Sequence, residues 1–401
     1  MEEILKLIQQ KASEYKEEVV EIRRYLHQNP ELSFKEFNTS KYVCSKLKAY
    51  GIEYESGIVE TGVVGLIKGN MAESSVIALR ADLDALPIVE ENEVAYKSVN
   101  KGVMHACGHD VHTSSLLGAA KILNEIKDQF SGTVKLIFQP GEERLPGGAS
   151  LMIKEGVLEN PVPNTIIGQH VYPQLEAGKV GFKSGMYMAS TDELFMTVKG
   201  KGGHAALPHL NVDPVLITAH ILTALQQVVS RMSHPTAPTV LSFGKMIANG
   251  ATNIIPDKVE LEGTFRAMDE NWRSEAHIKM KTMAESIANS MGGECVFKII
   301  KGYPFLVNDE AITNSAKQSA IEFLGEENVI DLDLRMTAED FAYFSQAKPS
   351  CFYRLGIKNE EKNIISGLHT PTFDVDEDAL ETSIGLMAWL AIKALANKKR
   401  T

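Results

Sequence analysis

The densest chemistry in the chain lies in Met104-His105-Ala106-Cys107-Gly108-His109-Asp110-Val111-His112, where a thiol, three imidazoles and a carboxylate fall within nine residues. A packed core has little use for that many donor groups; a metal ion does. Cys107 and His109 are two positions apart, so in an extended or looped segment both can face one ion. Thiolate with imidazole suits zinc or a similar borderline transition metal, not magnesium or calcium. A buried cysteine beside a helix-capping histidine is the other reading. His105, Asp110 and His112 can orient a ligand from behind, because ligating imidazoles usually donate their second N–H to a carboxylate or carbonyl. Ordinary hydrogen bonding accounts for each of them equally well.

Further donors follow short apolar runs. Glu142 and Glu143 come after a Pro-Gly turn, where one carboxylate can bind metal while its neighbour accepts the proton of an activated water. A solvated acidic loop is the alternative. Asp82 and Asp84 lie on the same side of an extended Arg-Ala-Asp-Leu-Asp segment; either can serve the site, or pair with Arg80. His170 ends another apolar run and reads as ligand or core histidine, and His369 is a loop histidine with no signal of its own. Farther on, His204 follows a glycine turn, and Asn253 and Arg266 supply an amide and a guanidinium that together could grip a carboxylate or oxyanion. Arg266 is out of phase with Val259, Leu261 and Phe265, so it faces away from its strand's apolar side.

These groups need elements to carry them. Val76–Leu79, Val134–Phe138 and Thr165–Ile167 are short, continuously apolar runs alternating with helical stretches such as 114–127. That pattern predicts parallel strands covered by helices, with sites beyond their carboxyl ends. Helices are expected at 2–27 and at 35–50, the second stopped by Gly51. From about 185 the order becomes strand 191–199, helix 213–231, strands 238–247 and 257–267, helix 271–290 and strand 294–300, the βαββαβ ferredoxin-like pattern. Helix 310–324, strand 351–355 and helix 378–397 complete the first domain. The expected division is 1–184 with 296–401, interrupted by 185–295. The basic tail Lys398-Lys399-Arg400 reads as a frayed end.

Composition bounds the function. With 401 residues and 44% hydrophobic side chains, the chain can bury two cores. A net charge of -11 argues against nucleic-acid binding. Cys44, Cys107, Cys295 and Cys351 form no CxxC pair, which fits a reducing cytoplasm. The N-terminus carries acids where a signal peptide is basic, and no apolar run approaches the ~20 residues of a membrane span.

Taken together, RADLDALP, MHACGHDVHT, FQPGEE, GQHVYP, GKGGHAALPH, NIIP, GTFR, AEDFAYF and LHTPTF resemble, in order and over nearly the whole chain, the dinuclear-metal aminoacylase and carboxypeptidase superfamily. The similarity is to its branch of hippurate hydrolases, N-acyl-amino-acid amidohydrolases and auxin-conjugate hydrolases. The resemblance implies a three-layer α/β catalytic domain with a mostly parallel sheet and an inserted lid, through which a homodimer or homotetramer often forms. It implies two divalent transition-metal ions (zinc, manganese, nickel or cobalt) held by Cys107, His109, Glu143, His170 and His369, with Glu142 as general base. Asp82 matches the acid that orients a ligand imidazole, while His204, Asn253 and Arg266 match lid residues that bind substrate oxyanion and carboxylate. Arg80 departs from the wider superfamily, standing where many relatives have the histidine of a His-x-Asp pair. The expected activity is hydrolysis of N-acyl-L-amino acids; a dipeptidase or N-acetyl-diaminopimelate deacetylase shares the chemistry, and a binding protein that lost the reaction is the rival of another class.

Overall fold

The computed structural model describes residues 1–396, so the tail Lys398-Lys399-Arg400 lies outside the described residues. The chain divides into two compact units. The first comprises Met1–Gly185, Val307–Asp333 and the residues from Asp340 on; the second comprises Met186–Leu306 and Leu334–Glu339.

An eight-stranded sheet organises the first unit, in the order Glu53–Ile58, Gly62–Lys68, Ser131–Gln139, Met71–Asp82, Thr165–Glu176, Ser350–Lys358, Val180–Phe182, Val329–Asp331. Its four central strands are parallel. They contain the three apolar runs, as strands enclosed on both faces should. Register aligns their chemistry: Asp82 pairs with Gln139, Arg80 with Gly168, and Arg354 with His170. The ends of neighbouring strands therefore present Asp82, the Glu142 loop and His170 at one level.

The helices Glu2–Gln28, His109–Glu125 and Ala379–Ala396 pack against one another, and the last also packs over the central strands. Ala379–Ala396 is apolar almost all round and is enclosed: Leu386, Trp389, Leu390 and Ile392 are buried, and the indole N–H of Trp389 donates to the Ser319 carbonyl at 3.0 Å. Each such side chain contributes about 2 kcal/mol by leaving water. Phe37–Ala49 ends as expected, with Gly51 at φ +71 and the amides of Gly51 and Ile52 bonded back to Lys48 and Leu47.

The antiparallel strands Glu53–Ile58 and Gly62–Lys68 were not expected. The first is an exposed edge whose Glu-Tyr-Glu-Ser sequence shows no apolar alternation.

In the second unit, Thr239–Ile247, Lys258–Ala267, Asp192–Lys199 and Glu294–Lys301 form an antiparallel sheet in that order. With helices Pro214–Gln227 and Glu270–Ser290 this is the βαββαβ ferredoxin-like arrangement. Its core is separate: Leu194, Met196, Val198, Ile217, Ile221, Leu225, Val259, Leu261, Phe265 and Met280 belong to it. Two boundaries differ from expectation. The unit continues past 295 because Glu294–Lys301 is its own edge strand. Helix 213–231 is α-helical only over Pro214–Gln227 and then makes a π turn, Val228–Met232. By length and composition Pro214–Met232 and Ala379–Ala396 could each cross a membrane, contrary to the expectation that no run is long enough. The first lays Ile217, Ile221, Leu225 and Val228 on its own sheet, and the second lies in the first unit's core.

Candidate metal centre

Gly108 creates the turn from which the cluster starts. It caps helix His109–Glu125 at φ +82, and a Cβ there would lie 2.4 Å from the Val171 side chain. Only glycine supplies that conformation in that space. Cys107 and His109 thus bracket a tight corner against strand Thr165–Glu176.

Two triads then share one sulfur. Cys107, His109 and His170 place donor atoms within 4.8 Å of one another, and so do Cys107, Glu143 and His369. The Cys107 Sγ lies 3.4 Å from His170 Nε2 and 3.4 Å from His369 Nε2. His109, Glu142 and Glu143 form a third such group. Residues from distant stretches of sequence are therefore brought into one place.

Two of the three imidazoles are turned by their other nitrogen. His109 Nδ1 donates to the Asp84 carbonyl at 2.9 Å and faces its carboxylate at 3.2 Å. His170 Nδ1 donates to the Val171 carbonyl at 2.8 Å. Both leave Nε2 toward the cluster, the tautomers being assigned from these partners. His369 sits at φ +61, where non-glycine residues are strained, held by its amide on the Ala106 carbonyl at 2.8 Å. Its Nε2 lies 3.2 Å from Glu143 Oε1.

The electrostatics suit cations. Among the described residues, His109 Nε2 is buried with no hydrogen-bond partner, and the buried Glu143 Oε1 makes no hydrogen bond beyond its ion-pair contact with His369. Burial works against a charged His109, yet Asp82, Asp84 and Glu143 outweigh it and raise the imidazole to about 10. Burial, with Glu143, Glu142 and Asp82, pushes the Cys107 thiol well above its ordinary value, so a thiolate here requires added positive charge. His170 is pushed well below the usual histidine range, chiefly by burial and then by Arg354, and is a neutral ligand ready-made. A soft thiolate, three imidazoles and a carboxylate fit divalent transition metals.

The structure separates the two aspartates. Asp82 Oδ1 meets His112 Nδ1 at 2.6 Å and its Oδ2 lies 3.7 Å from His109 Nε2, while His112 Nε2 accepts from the Val171 amide at 3.0 Å. With both nitrogens engaged, His112 holds strand Thr165–Glu176 beside His170, and with Asp82 and His109 it forms a further group of donor atoms within 4.8 Å of one another. Arg80, fully buried, donates to Asp82 Oδ2 at 2.6 Å and Asp340 Oδ1 at 2.8 Å, so the salt-bridge reading of Arg80 describes it well. Asp84 is the carboxylate behind His109. It also accepts the amides of Glu142 and Glu143 at 3.0 and 2.9 Å and the Ser33 hydroxyl at 2.6 Å. Asp110 instead pairs with Arg23 and His27 at 2.8 and 2.9 Å, and among the described residues neither nitrogen of His105 is hydrogen-bonded. Sequence reasoning missed Asp340, whose amide lies 3.2 Å from Glu142 Oε1; its place in AEDFAYF was the available signal.

His204 and Asn253 meet in the second unit. His204 pairs with Ile254 in a two-residue ladder, and the Ala205 amide donates to the Asn253 carbonyl at 3.0 Å. His204 Nδ1 accepts from the Ala206 amide at 3.1 Å, which leaves Nε2–H as a donor. Arg266 is half-buried on the face opposite Phe265; its Nε bonds Thr264 Oγ1 at 3.1 Å, and among the described residues it makes no ion pair.

Comparison with known proteins decides the family. The model of Peptidase family M20/M25/M40 matches residues 78–393, which span the whole cluster. The chain belongs to this peptidase family. It is accordingly a hydrolase. Thermostable carboxypeptidase 2 of Saccharolobus solfataricus is 39% identical over 98% of this chain and 99% of its own length. N-acetyl-L-cysteine deacetylase of Bacillus subtilis is 39% identical over 92% and 86%. Among solved structures, the Bacillus subtilis YXEP protein, a dinuclear metal binding peptidase from the M20 family, superposes with a TM-score of 0.81 at 35% identity, covering 95% of this chain and 98% of that one. Within the M20 family, then, both peptidases and deacetylases stand at similar distance from this chain.

Proposed function

We propose that the protein cleaves the amide bond of N-acyl-L-amino acids with two divalent transition-metal ions, one held by Cys107, His109 and His170 and the other by Cys107, Glu143 and His369. The observation that carries this reading is the pair of triads meeting at the Cys107 sulfur. When bound, such ions polarise a carbonyl and lower the pKa of water from 15.7 toward about 7.

Glu142 is the general base. It is buried beside the triads and shares a group with His109 and Glu143. It takes the proton of the attacking water and delivers it to the leaving amine nitrogen. In the second unit, a lid in this reading, the Nε2–H of His204 donates to the developing oxyanion, and Arg266 with Asn253 holds the free carboxylate. The Arg266 guanidinium, which makes no ion pair among the described residues, supports the carboxylate role, and the deacetylase relative supports an acyl group over a second amino acid. A dipeptidase uses the same groups, and the carboxypeptidase relative favours that second reading. Assembly through the lid is supported by its edge strand Thr239–Ile247 and the exposed Leu216 and Met246.

Glu142→Gln tests the reading. Metal content should persist at two ions per chain while turnover of N-acetyl-L-methionine and hippurate falls by about 10³-fold or more. Retained turnover would remove Glu142 from the role. A substrate panel including dipeptides separates the two activities.

A further inference from the structure

The loop that carries Glu142 has little regular structure to hold it. Strand Ser131–Gln139 ends just before Pro140, and the Gly141 carbonyl accepts from the Gly148 amide at 3.0 Å. Three consecutive amides of this loop end on side-chain carboxylates. Glu142 and Glu143 donate to Asp84. Gly141 donates to Glu36 Oε1 at 2.8 Å.

Glu36 comes from a segment with no metal-binding signal, Glu31-Leu-Ser-Phe-Lys-Glu36, and is wholly buried. Its Oε1 also accepts from the Phe34 amide at 2.9 Å, and its Oε2 from the Thr61 hydroxyl at 2.8 Å. Phe34 is held at φ +62, and its ring fills the space beside Gly141: a Cβ on Gly141, itself at φ +62, would lie 2.4 Å from that ring. A left-handed phenylalanine is strained and persists only where its surroundings over-determine it. Here the carboxylate bonds both left-handed residues through one oxygen.

We propose that Glu36 is a positioning residue for the general base: its buried side chain fixes the Gly141 peptide and thereby the direction in which Glu142 leaves the loop. This rests on the reading of Glu142 as base. What the loop requires is an acceptor oxygen at the Oε1 position, not a negative charge. Burial, with the nearby Asp84 carboxylate, lifts the Glu36 carboxyl to about 7, and its protonated form keeps Oε1 as an acceptor while its O–H turns to Thr61.

Charge and geometry make opposite predictions for two conservative variants. Glu36→Gln keeps the acceptor and loses the charge; its amide N–H₂ faces Thr61 Oγ1, which can rotate to accept. Glu36→Asp keeps the charge and withdraws the oxygens by one carbon-carbon bond, about 1.5 Å. Displacements of that size cost roughly 10²-fold in rate. In full-length, manganese-loaded protein assayed on N-acetyl-L-methionine per folded molecule, Glu36→Asp should lower kcat about 10²-fold with KM within about threefold and metal content unchanged. Glu36→Gln should stay within about fivefold of the parent, and in a Glu142→Gln background Glu36→Asp should cost nothing further, since residues acting as one unit are not additive.

Parental kcat in Glu36→Asp, an equal loss in Glu36→Gln, or losses that multiply with Glu142→Gln would each overturn the proposal. Full turnover in Glu142→Gln would overturn the base assignment together with it. An inactive Glu142→Gln beside a fully active Glu36→Asp would overturn this proposal alone.

Discussion

At the residue scale, two groups of the cluster hold protons that metal binding must displace. His109, raised to about 10 by carboxylates that outweigh its burial, carries a proton at pH 7. Cys107, pushed well above its ordinary value, carries another. His170, pushed down by burial, carries none. Ligands must be deprotonated to bind, so metal loading releases protons, and affinity rises with pH below the pKa values of the groups that release them. Calorimetry at pH 7 in buffers of different ionisation enthalpy should count about two protons released when the site fills. Release of none would mean that the thiol or His109 is not a ligand. Cys107 and His109 were legible in the sequence because their spacing is local. The role of Asp84 was not, since both aspartates read as one side of an extended Arg-Ala-Asp-Leu-Asp segment and only the helix beside them decides which imidazole each one meets.

At the scale of elements, that decision is a match of two periods. Residues two apart on a strand are spaced about 6.6 Å, close to the spacing of side chains three apart on a helix. Asp82 meets His112 and Asp84 meets His109, and the two rings lie 5.4 Å apart. The ferredoxin-like run was readable because its strands alternate and its helices begin at Asp213 and Asp269, whose side chains cap the first amides. The flanking strand Glu53–Ile58 was not, because pairing with Gly62–Lys68, not its own composition, makes it a strand. The next strand inward, Ser131–Gln139, carries a buried lysine. Lys135 donates to the Val157 and Glu159 carbonyls, at 2.8 and 2.5 Å, and burial lowers it to about 8. Its folded value lies below the ordinary 10.5, so between pH 8 and 10.5 the unfolded chain binds more protons and stability rises with pH. Relative to Lys135→Met, the parent should gain on the order of 1 kcal/mol per pH unit across that window, read from urea midpoints. A pH-independent difference would show that the lysine is not strained by its charge.

For the whole molecule, the two cores share no residue, and all candidate ligands lie in the first unit. Metal binding should therefore stabilise one unit selectively. A ligand at 100 times its dissociation constant adds about 2.7 kcal/mol per site to the state that binds it. Stripping the ions with a chelator should speed amide exchange in core peptides such as Val134–Phe138 and Ala379–Ala396, and leave Asp192–Lys199 and Lys258–Ala267 as they were. The second unit has its own point of failure. Asp192, fully buried, takes Arg273 Nη2 and His277 Nε2 at 2.6 Å each and the Gly302 amide at 3.2 Å. Asp192→Ala leaves the buried Arg273 guanidinium without that partner, a change that costs about 3–5 kcal/mol. Exchange should then rise in the second unit while the first retains its ions and their protection. If chelation loosened both units equally, or if Asp192→Ala emptied the metal site, the two cores would be one cooperative structure, and substrate groups on the second unit could not be varied without disturbing the ions of the first.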